Sequence, residues 1–94
     1  MRVKEDFMSA YKISDIKPLN HSVAECLDDY FRALNGHAPK NLYDTILDQV
    51  EPPLLRASLK YCDGNQSKAA EMLGLNRATL RKKLKQYKIK PTAL

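Results

Sequence analysis

The sequence has no long hydrophobic run and only three glycines in 94 residues. A membrane-spanning helix needs about 20 consecutive apolar residues, and no stretch approaches that length, so we predict no membrane span. The first residues lack the apolar segment of a secretory signal peptide, and we therefore expect a cytoplasmic protein. The glycines do not form a phosphate-binding loop, which argues against a nucleotide-dependent enzyme.

Residues that ligate metals or act as nucleophiles are few and isolated. Cys26 and Cys62 have no CxxC spacing, and in a reducing compartment we expect free thiols. His21 and His37 lie far apart without a ligand partner at metal-binding spacing, so we expect surface histidines. A chain of this size also has a core too modest to enclose a substrate cleft easily. We therefore predict no catalytic residue, no metal site, no cofactor and no small-molecule substrate.

Positive charge is concentrated near the C-terminus. Residues 64–94 contain eight Lys/Arg and one acid, a net charge of +7, whereas residues 1–63 contain eight Lys/Arg and ten acids, a net charge of −2. If the basic residues served only solubility, they would not need to be concentrated in one part of the chain. The asymmetry indicates that one end of the molecule binds a polyanion.

The residues from Asn65 to Leu84 have the pattern of two short helices around a tight turn. Asn65 and Asn76 are suited to cap the two helices, and Gly74 is suited to end the first in a left-handed conformation. The first helix has a small apolar face, formed by Ala69, Ala70 and Leu73. The second has apolar residues at i, i+4 and i+7, namely Leu80, Leu84 and Tyr87. This layout predicts a helix-turn-helix.

In a helix-turn-helix the second helix lies in the major groove of DNA. Arg77, in the exposed first turn, can donate two parallel hydrogen bonds to O6 and N7 of a guanine, and Asn76 is suited either to contact a base or to cap the helix. The predicted base contacts are Asn76, Arg77 and Lys82. The predicted phosphate contacts are Asn65, Ser67, Thr79, Arg81, Lys83, Lys85, Lys88 and Lys90. The alternative is a solvated basic helix over a small core.

The preceding residues predict two longer helices. Apolar residues recur with helical period from about Leu19 to Leu34, and Asn35-Gly36 forms a stop. Asn41 is a candidate N-cap for a second helix extending to about Tyr61. Pro52 and Pro53 each remove a backbone donor, so we expect a kink or short break at residues 51–53. The expected organisation is an arm (1–17), dimerisation helices (18–63), a helix-turn-helix (64–87) and a basic tail (88–94).

The apolar faces of these two helices are wider than the helix-turn-helix can cover. In a chain this small, burial against a second subunit is an economical solution. We therefore predict an all-α, four-helix subunit whose first two helices form an intertwined homodimer core; a monomeric four-helix domain is the alternative. The predicted dimer core consists of Leu19, Val23, Leu27, Tyr30, Phe31, Leu34, Leu42, Ile46 and Val50.

Several segments, in the same order, resemble the Fis family, named for the bacterial factor for inversion stimulation. In the C-terminal part these are Gly64-Asn65-Gln66, Ala69-Ala70, Gly74-Leu75-Asn76-Arg77, Thr79-Leu80-Arg81-Lys82-Lys83-Leu84-Lys85 and Tyr87. Upstream they are Lys17-Pro18-Leu19, Tyr30-Phe31, Leu34-Asn35-Gly36, Asn41-Leu42-Tyr43 and Pro53-Leu54-Leu55. Many sigma-54-dependent activators end in a similar helix-turn-helix, but the upstream likeness favours Fis.

The resemblance implies a homodimeric, nucleoid-associated transcriptional regulator that bends double-stranded DNA. It further implies recognition helices closer together than one DNA turn, about 34 Å, so that an A/T-rich centre is compressed and read by shape. In this family a mobile β-hairpin arm contacts site-specific recombinases; residues 1–17 do not match that arm.

Two other binding functions stay open at this point. One is a helix-turn-helix interaction module that recruits RNA polymerase or a recombinase, or serves as the output domain of a sigma-54 type activator, with weak DNA affinity. The other is an RNA-binding module, which is disfavoured because exposed aromatic residues for base stacking are scarce near the basic helix.

Overall fold

The computed structural model describes residues 18–91, and the regular structure within that range is helical without strands. It contains α1 (Leu19–Leu34), α2 (Leu42–Tyr61), α3 (Gln66–Leu73) and α4 (Arg77–Gln86). Within the described residues, the prediction of an all-α fold with four helices is therefore confirmed. The expected N-terminal arm, residues 1–17, and residues 92–94 of the basic tail lie outside the described residues. No described helix combines the length and the apolar character needed to cross a membrane.

The chain divides after Lys40 into two compact units, of which the first contains α1. This helix has the predicted bounds and ends where Asn35 adopts a left-handed backbone, with φ 51° and ψ 49°. None of its 16 residues is buried. Leu19 and Phe31 expose 54% and 45% of their surface, so the apolar stripe of α1 remains partly exposed in the described chain.

The second unit begins with Asn41 and α2. Asn41 occupies the N-cap position of α2, as predicted, but its side chain makes no cap hydrogen bond. Its backbone is left-handed, with φ 51° and ψ 41°, whereas side-chain capping normally requires an extended backbone. The Asn41 carbonyl instead accepts from both the backbone N–H and the hydroxyl of Thr45, each at 3.0 Å.

Two prolines lie inside α2, yet the helix is continuous over all 20 residues. The predicted alternative of a short break at residues 51–53 is therefore wrong, while the kink stays a prediction. Pro52 and Pro53 remove the donors that would bond the carbonyls of Asp48 and Gln49. Asp48 and Gln49 are exposed, so water can donate hydrogen bonds to their freed carbonyls and the helix need not end.

The hydrophobic core of the second unit lies where α2, α3 and α4 meet. Its buried apolar residues are Leu55, Leu59, Ala69, Ala70, Leu80, Leu84 and Ile89. The two alanines allow α3 to approach its neighbours closely, as their small side chains predict. Leu55, Leu59 and Leu80 are almost completely enclosed, and burial of each leucine contributes about 2 kcal/mol relative to exposure. This core determines which face of α4 remains available to a ligand.

Candidate nucleic-acid interface

The turn between α3 and α4 forms as its sequence predicts. The Asn65 side-chain oxygen accepts a hydrogen bond from the Lys68 backbone N–H at 3.1 Å, which confirms the first cap. Gly74 follows α3 with φ 74°, and its N–H and that of Leu75 donate to the carbonyls of Glu71 and Ala70. A Cβ at Gly74 would have open space around it, so the left-handed backbone, and not crowding, favours glycine there.

Asn76 caps α4, as predicted. Its backbone is extended, and its side-chain oxygen accepts from the Ala78 backbone N–H at 2.8 Å. The side-chain NH₂ group remains able to donate. Bidentate recognition of an adenine requires both the oxygen and the NH₂ group and would compete with the cap. The cap is thus confirmed, while a base contact by Asn76 stays a prediction.

The face of α4 opposite its buried leucines is exposed and cationic. Leu80 and Leu84 point into the core, whereas the exposed residues are Arg77, Ala78, Thr79, Arg81, Lys82 and Lys85. Within residues 18–91 no carboxylate pairs with the basic members of this set. The first turn of α4 contains no acid, so the positive end of the helix dipole adds to the charge of Arg77. This surface can therefore attract an anion without first breaking an ion pair in the described chain.

The remaining predicted phosphate contacts lie at two places. Asn65 and Ser67 are exposed at the start of α3, and Lys88 and Lys90 are exposed after α4. The oxygen of Asn65 serves the cap, so its NH₂ group is the part left to donate to a phosphate. Their contacts with nucleic acid stay predictions.

Lys83 differs from the other basic residues of α4. Its Nζ donates to Oε2 of Glu51 on α2 at 2.9 Å, and the two side chains are only 28% and 19% exposed. The Tyr87 hydroxyl donates to Oε1 of Glu51 at 2.7 Å and lies 3.4 Å from Oδ1 of Asp48. Tyr87 therefore combines its predicted packing against the core with a polar contact. The role of Lys83 as a phosphate contact stays a prediction, and its ion pair argues against it.

These hydrogen bonds shift the proton affinities of both partners of Lys83. The bond from Lys83, followed by that from Tyr87, lowers the pKa of Glu51 because both donors stabilise its ionised form. The same carboxylate raises the pKa of Tyr87, since it accepts the phenolic proton and repels the phenolate. At neutral pH the group consequently contains an ionised Glu51 and a protonated Tyr87.

The end of α4 is fixed by residues assigned to the tail in the sequence analysis. The N–H of Lys88 donates to the Lys85 carbonyl at 3.2 Å and that of Ile89 to the Leu84 carbonyl at 2.8 Å. These two bonds form a Schellman motif, with Lys88 left-handed at φ 56°. Ile89 is only 8% exposed and joins the core. The apolar residue five positions after Leu84 was the available indication of this hydrophobic contact.

Comparison with known proteins agrees with this geometry. Residues 46–87 match the family model described as bacterial regulatory protein, Fis family. Curated relatives named DNA-binding protein Fis occur in Proteus mirabilis (strain HI4320), Escherichia coli O1:K1 / APEC and Yersinia pestis (strain Pestoides F). Each is 52% identical over 71 residues, which cover 76% of this chain and 72% of the relative. The predicted resemblance is therefore confirmed, and the chain belongs to the Fis family of bacterial regulatory proteins.

Proposed function

We propose that this protein is a homodimeric DNA-binding and DNA-bending protein that acts in the cytoplasm, on the nucleoid, as a transcriptional regulator. One observation carries the proposal: a capped helix-turn-helix presents an exposed cationic face on its second helix. The names of the curated relatives agree with it, since they describe DNA-binding proteins. Double-stranded DNA is therefore the proposed ligand of α4.

In the proposed complex, the first turn of α4 enters the major groove. Arg77 contacts a guanine through two parallel hydrogen bonds, with Asn76 and Lys82 as further base contacts. The phosphate contacts are proposed for the remaining exposed donors: Asn65, Ser67, Thr79, Arg81, Lys85, Lys88 and Lys90. The base contacts would then supply sequence preference, and the phosphate contacts most of the salt-dependent affinity.

The partly exposed apolar stripe of α1 supports a homodimer. Leu19 and Phe31 are about half exposed in the single chain, and α1 has no buried residue. A second copy can cover this stripe together with the half-buried Leu42, Ile46 and Val50 of α2. A two-fold symmetric dimer presents two recognition helices and therefore binds a roughly palindromic site.

DNA bending follows if the two recognition helices lie closer together than one turn of straight DNA, about 34 Å. The duplex must then narrow its central minor groove to bring both major-groove segments to the protein. A/T-rich centres are compressed most easily, so specificity would arise partly at base pairs that the protein never contacts. RNA polymerase or a site-specific recombinase is a proposed additional partner.

The proposal is tested by measuring binding of wild type and Arg77→Ala to a duplex with outer G·C pairs and an A/T-rich centre. A second duplex, with the outer G·C pairs replaced, measures site preference, and each is titrated over a salt series. We expect Arg77→Ala to lose about 1–3 kcal/mol of preference, because it removes a bidentate base contact. Its salt slope should remain close to that of wild type.

Lys85→Ala is the matched control, because Lys85 is exposed on the same helix and is proposed to contact phosphate. It should weaken binding to both duplexes equally and reduce the salt slope by about one per subunit. Unchanged preference in Arg77→Ala would refute the proposed base contact. Absence of wild-type binding at low salt would refute direct DNA recognition and favour the interaction module.

A further inference from the structure

We propose that Glu51, Lys83 and Tyr87 form a positioning contact, here called the Glu51 bridge, that sets the orientation of the recognition helix on α2. Lys83 is then a structural cation and not a phosphate contact. The inference rests on the proposed function, since orientation matters here through its effect on DNA binding. It concerns residues that do not themselves touch the ligand.

The bridge has two attachment points on one carboxylate. Oε2 of Glu51 accepts from Lys83 Nζ at 2.9 Å, and Oε1 accepts from the Tyr87 hydroxyl at 2.7 Å. Lys83 and Tyr87 are four residues apart, so they lie on the same side of α4, one turn from each other. Two bonds one turn apart along α4 resist tilting of the helix against α2, which a single bond would allow.

Burial distinguishes Lys83 from its basic neighbours. Lys83 is half-buried, whereas Arg81, Lys82 and Lys85 are exposed. A phosphate contact by Lys83 would require its ammonium group to leave Glu51, and it would leave that carboxylate, which is only 19% exposed, without its cation. Exposed neighbours can reach a phosphate without either cost. The geometry therefore favours retention of the ion pair when DNA binds.

The position of the bridge along α2 gives it a second effect. Glu51 lies one helical turn before Leu55, where α2 enters the hydrophobic core. It also directly follows Val50, which belongs to the proposed dimer core. The bridge therefore fastens α4 to α2 one turn before the hydrophobic core. If it is lost, α4 can pivot on the core contacts, and the separation of the two recognition helices in the dimer becomes less defined.

The first test compares Lys83→Met with Lys85→Met by salt titration on the palindromic duplex described above. Methionine retains an unbranched aliphatic chain and removes the charge. We expect Lys85→Met to lower the salt slope by about two per dimer, because one phosphate contact per subunit is lost. Lys83→Met should keep the wild-type slope, because its cation releases no counterion from DNA.

The second test measures the preference for half-site spacing with duplexes whose A/T-rich centre is shortened or lengthened by single base pairs. Glu51→Gln, Tyr87→Phe and Lys83→Met should each reduce the preference for the best spacing by about threefold to tenfold, which lies in the lower part of the range that coupling between contacting residues produces. The double variant Glu51→Gln/Lys83→Met should lose no more than either single variant. All are compared at a temperature at which circular dichroism shows them folded.

Each possible result supports or overturns the inference. A slope loss in Lys83→Met equal to that in Lys85→Met would overturn it, as would wild-type spacing preference in Glu51→Gln and Tyr87→Phe. Both results would leave the proposed function intact. Absence of wild-type binding to any duplex would overturn the proposed function and this inference together, so the two failures are distinguishable.

Discussion

The two units of the chain use similar apolar residues with different results. In the second unit, leucines of α2 and α4 meet the alanines of α3, and Leu59 and Leu80 have no exposed surface. In the first unit, α1 has a longer apolar stripe, yet none of its residues is buried. Helical periodicity alone therefore does not determine whether a stripe forms an intramolecular core. The second unit supplies its own packing partners, whereas the described residues bury no part of the α1 stripe.

Leu59→Ala should have the largest effect on stability, because it creates a cavity in the closed core. We expect the free energy of unfolding of the second unit to fall by about 2–5 kcal/mol, measured by urea denaturation followed by circular dichroism. Leu54→Ala is the matched control: it makes the same change in the same helix, but Leu54 is 49% exposed. Equal losses in the two variants would contradict the described core.

Phe31→Asp should weaken assembly of the dimer more than it affects the helix-turn-helix. A charge in the apolar stripe of α1 should raise the dimer dissociation constant at least about a hundredfold, or about 2.8 kcal/mol, measured by sedimentation over a concentration series. Ser22→Asp, outside that stripe on the same exposed helix, should leave dissociation unchanged. A Phe31→Asp protein that remains dimeric at every concentration would show that α1 does not form the interface.

The smallest predicted effect concerns the pH dependence of the second unit. The pKa of Glu51 is lowered in the folded protein. The ionised carboxylate therefore stabilises the fold above its ordinary pKa of 4.5, and this stabilisation is lost as the pH falls through the folded pKa. Wild type should exceed Glu51→Gln in stability by about 1 kcal/mol at neutral pH.

This difference should shrink in acid, below the ordinary carboxyl pKa, and stay constant between neutral and mildly alkaline pH, where Glu51 is ionised and Tyr87 is protonated. Thermal melts of both proteins across the pH range measure it. A difference that grows as the pH falls would contradict the sign of the Glu51 shift.

Features that depend on neighbours in sequence were predictable. The caps at Asn65 and Asn76 and the left-handed Gly74 follow from the chemistry of a few adjacent residues, and the structure has all three. The bounds of α1 were also predictable, because its apolar period ends where Asn35 stops the helix. Each requires only that a local preference is not opposed by packing elsewhere.

Features that depend on distant residues or on competing local forces were not predictable. Glu51 and Lys83 are 32 residues apart, so no spacing rule pairs them, and Lys83 was assigned to a phosphate in the sequence analysis from its charge alone. A break at Pro52 and Pro53 does not occur, because exposure of the preceding turn permits the helix to continue. Asn41 occupies the predicted N-cap position, but its left-handed backbone leaves its side chain without a cap hydrogen bond.

The residues after α4 have a consequence for any ligand of that helix. Ile89 anchors its end in the core, and the Pro91 carbonyl passes so close to Gly64 that a Cβ there would lie 3.0 Å from it. The chain thus returns to the turn before α3, while the Asn76 cap holds the start of α4. Since α4 is secured at both ends, little conformational entropy remains to be lost on binding. The helix is preorganised, and its contacts can contribute to affinity without first having to order the helix.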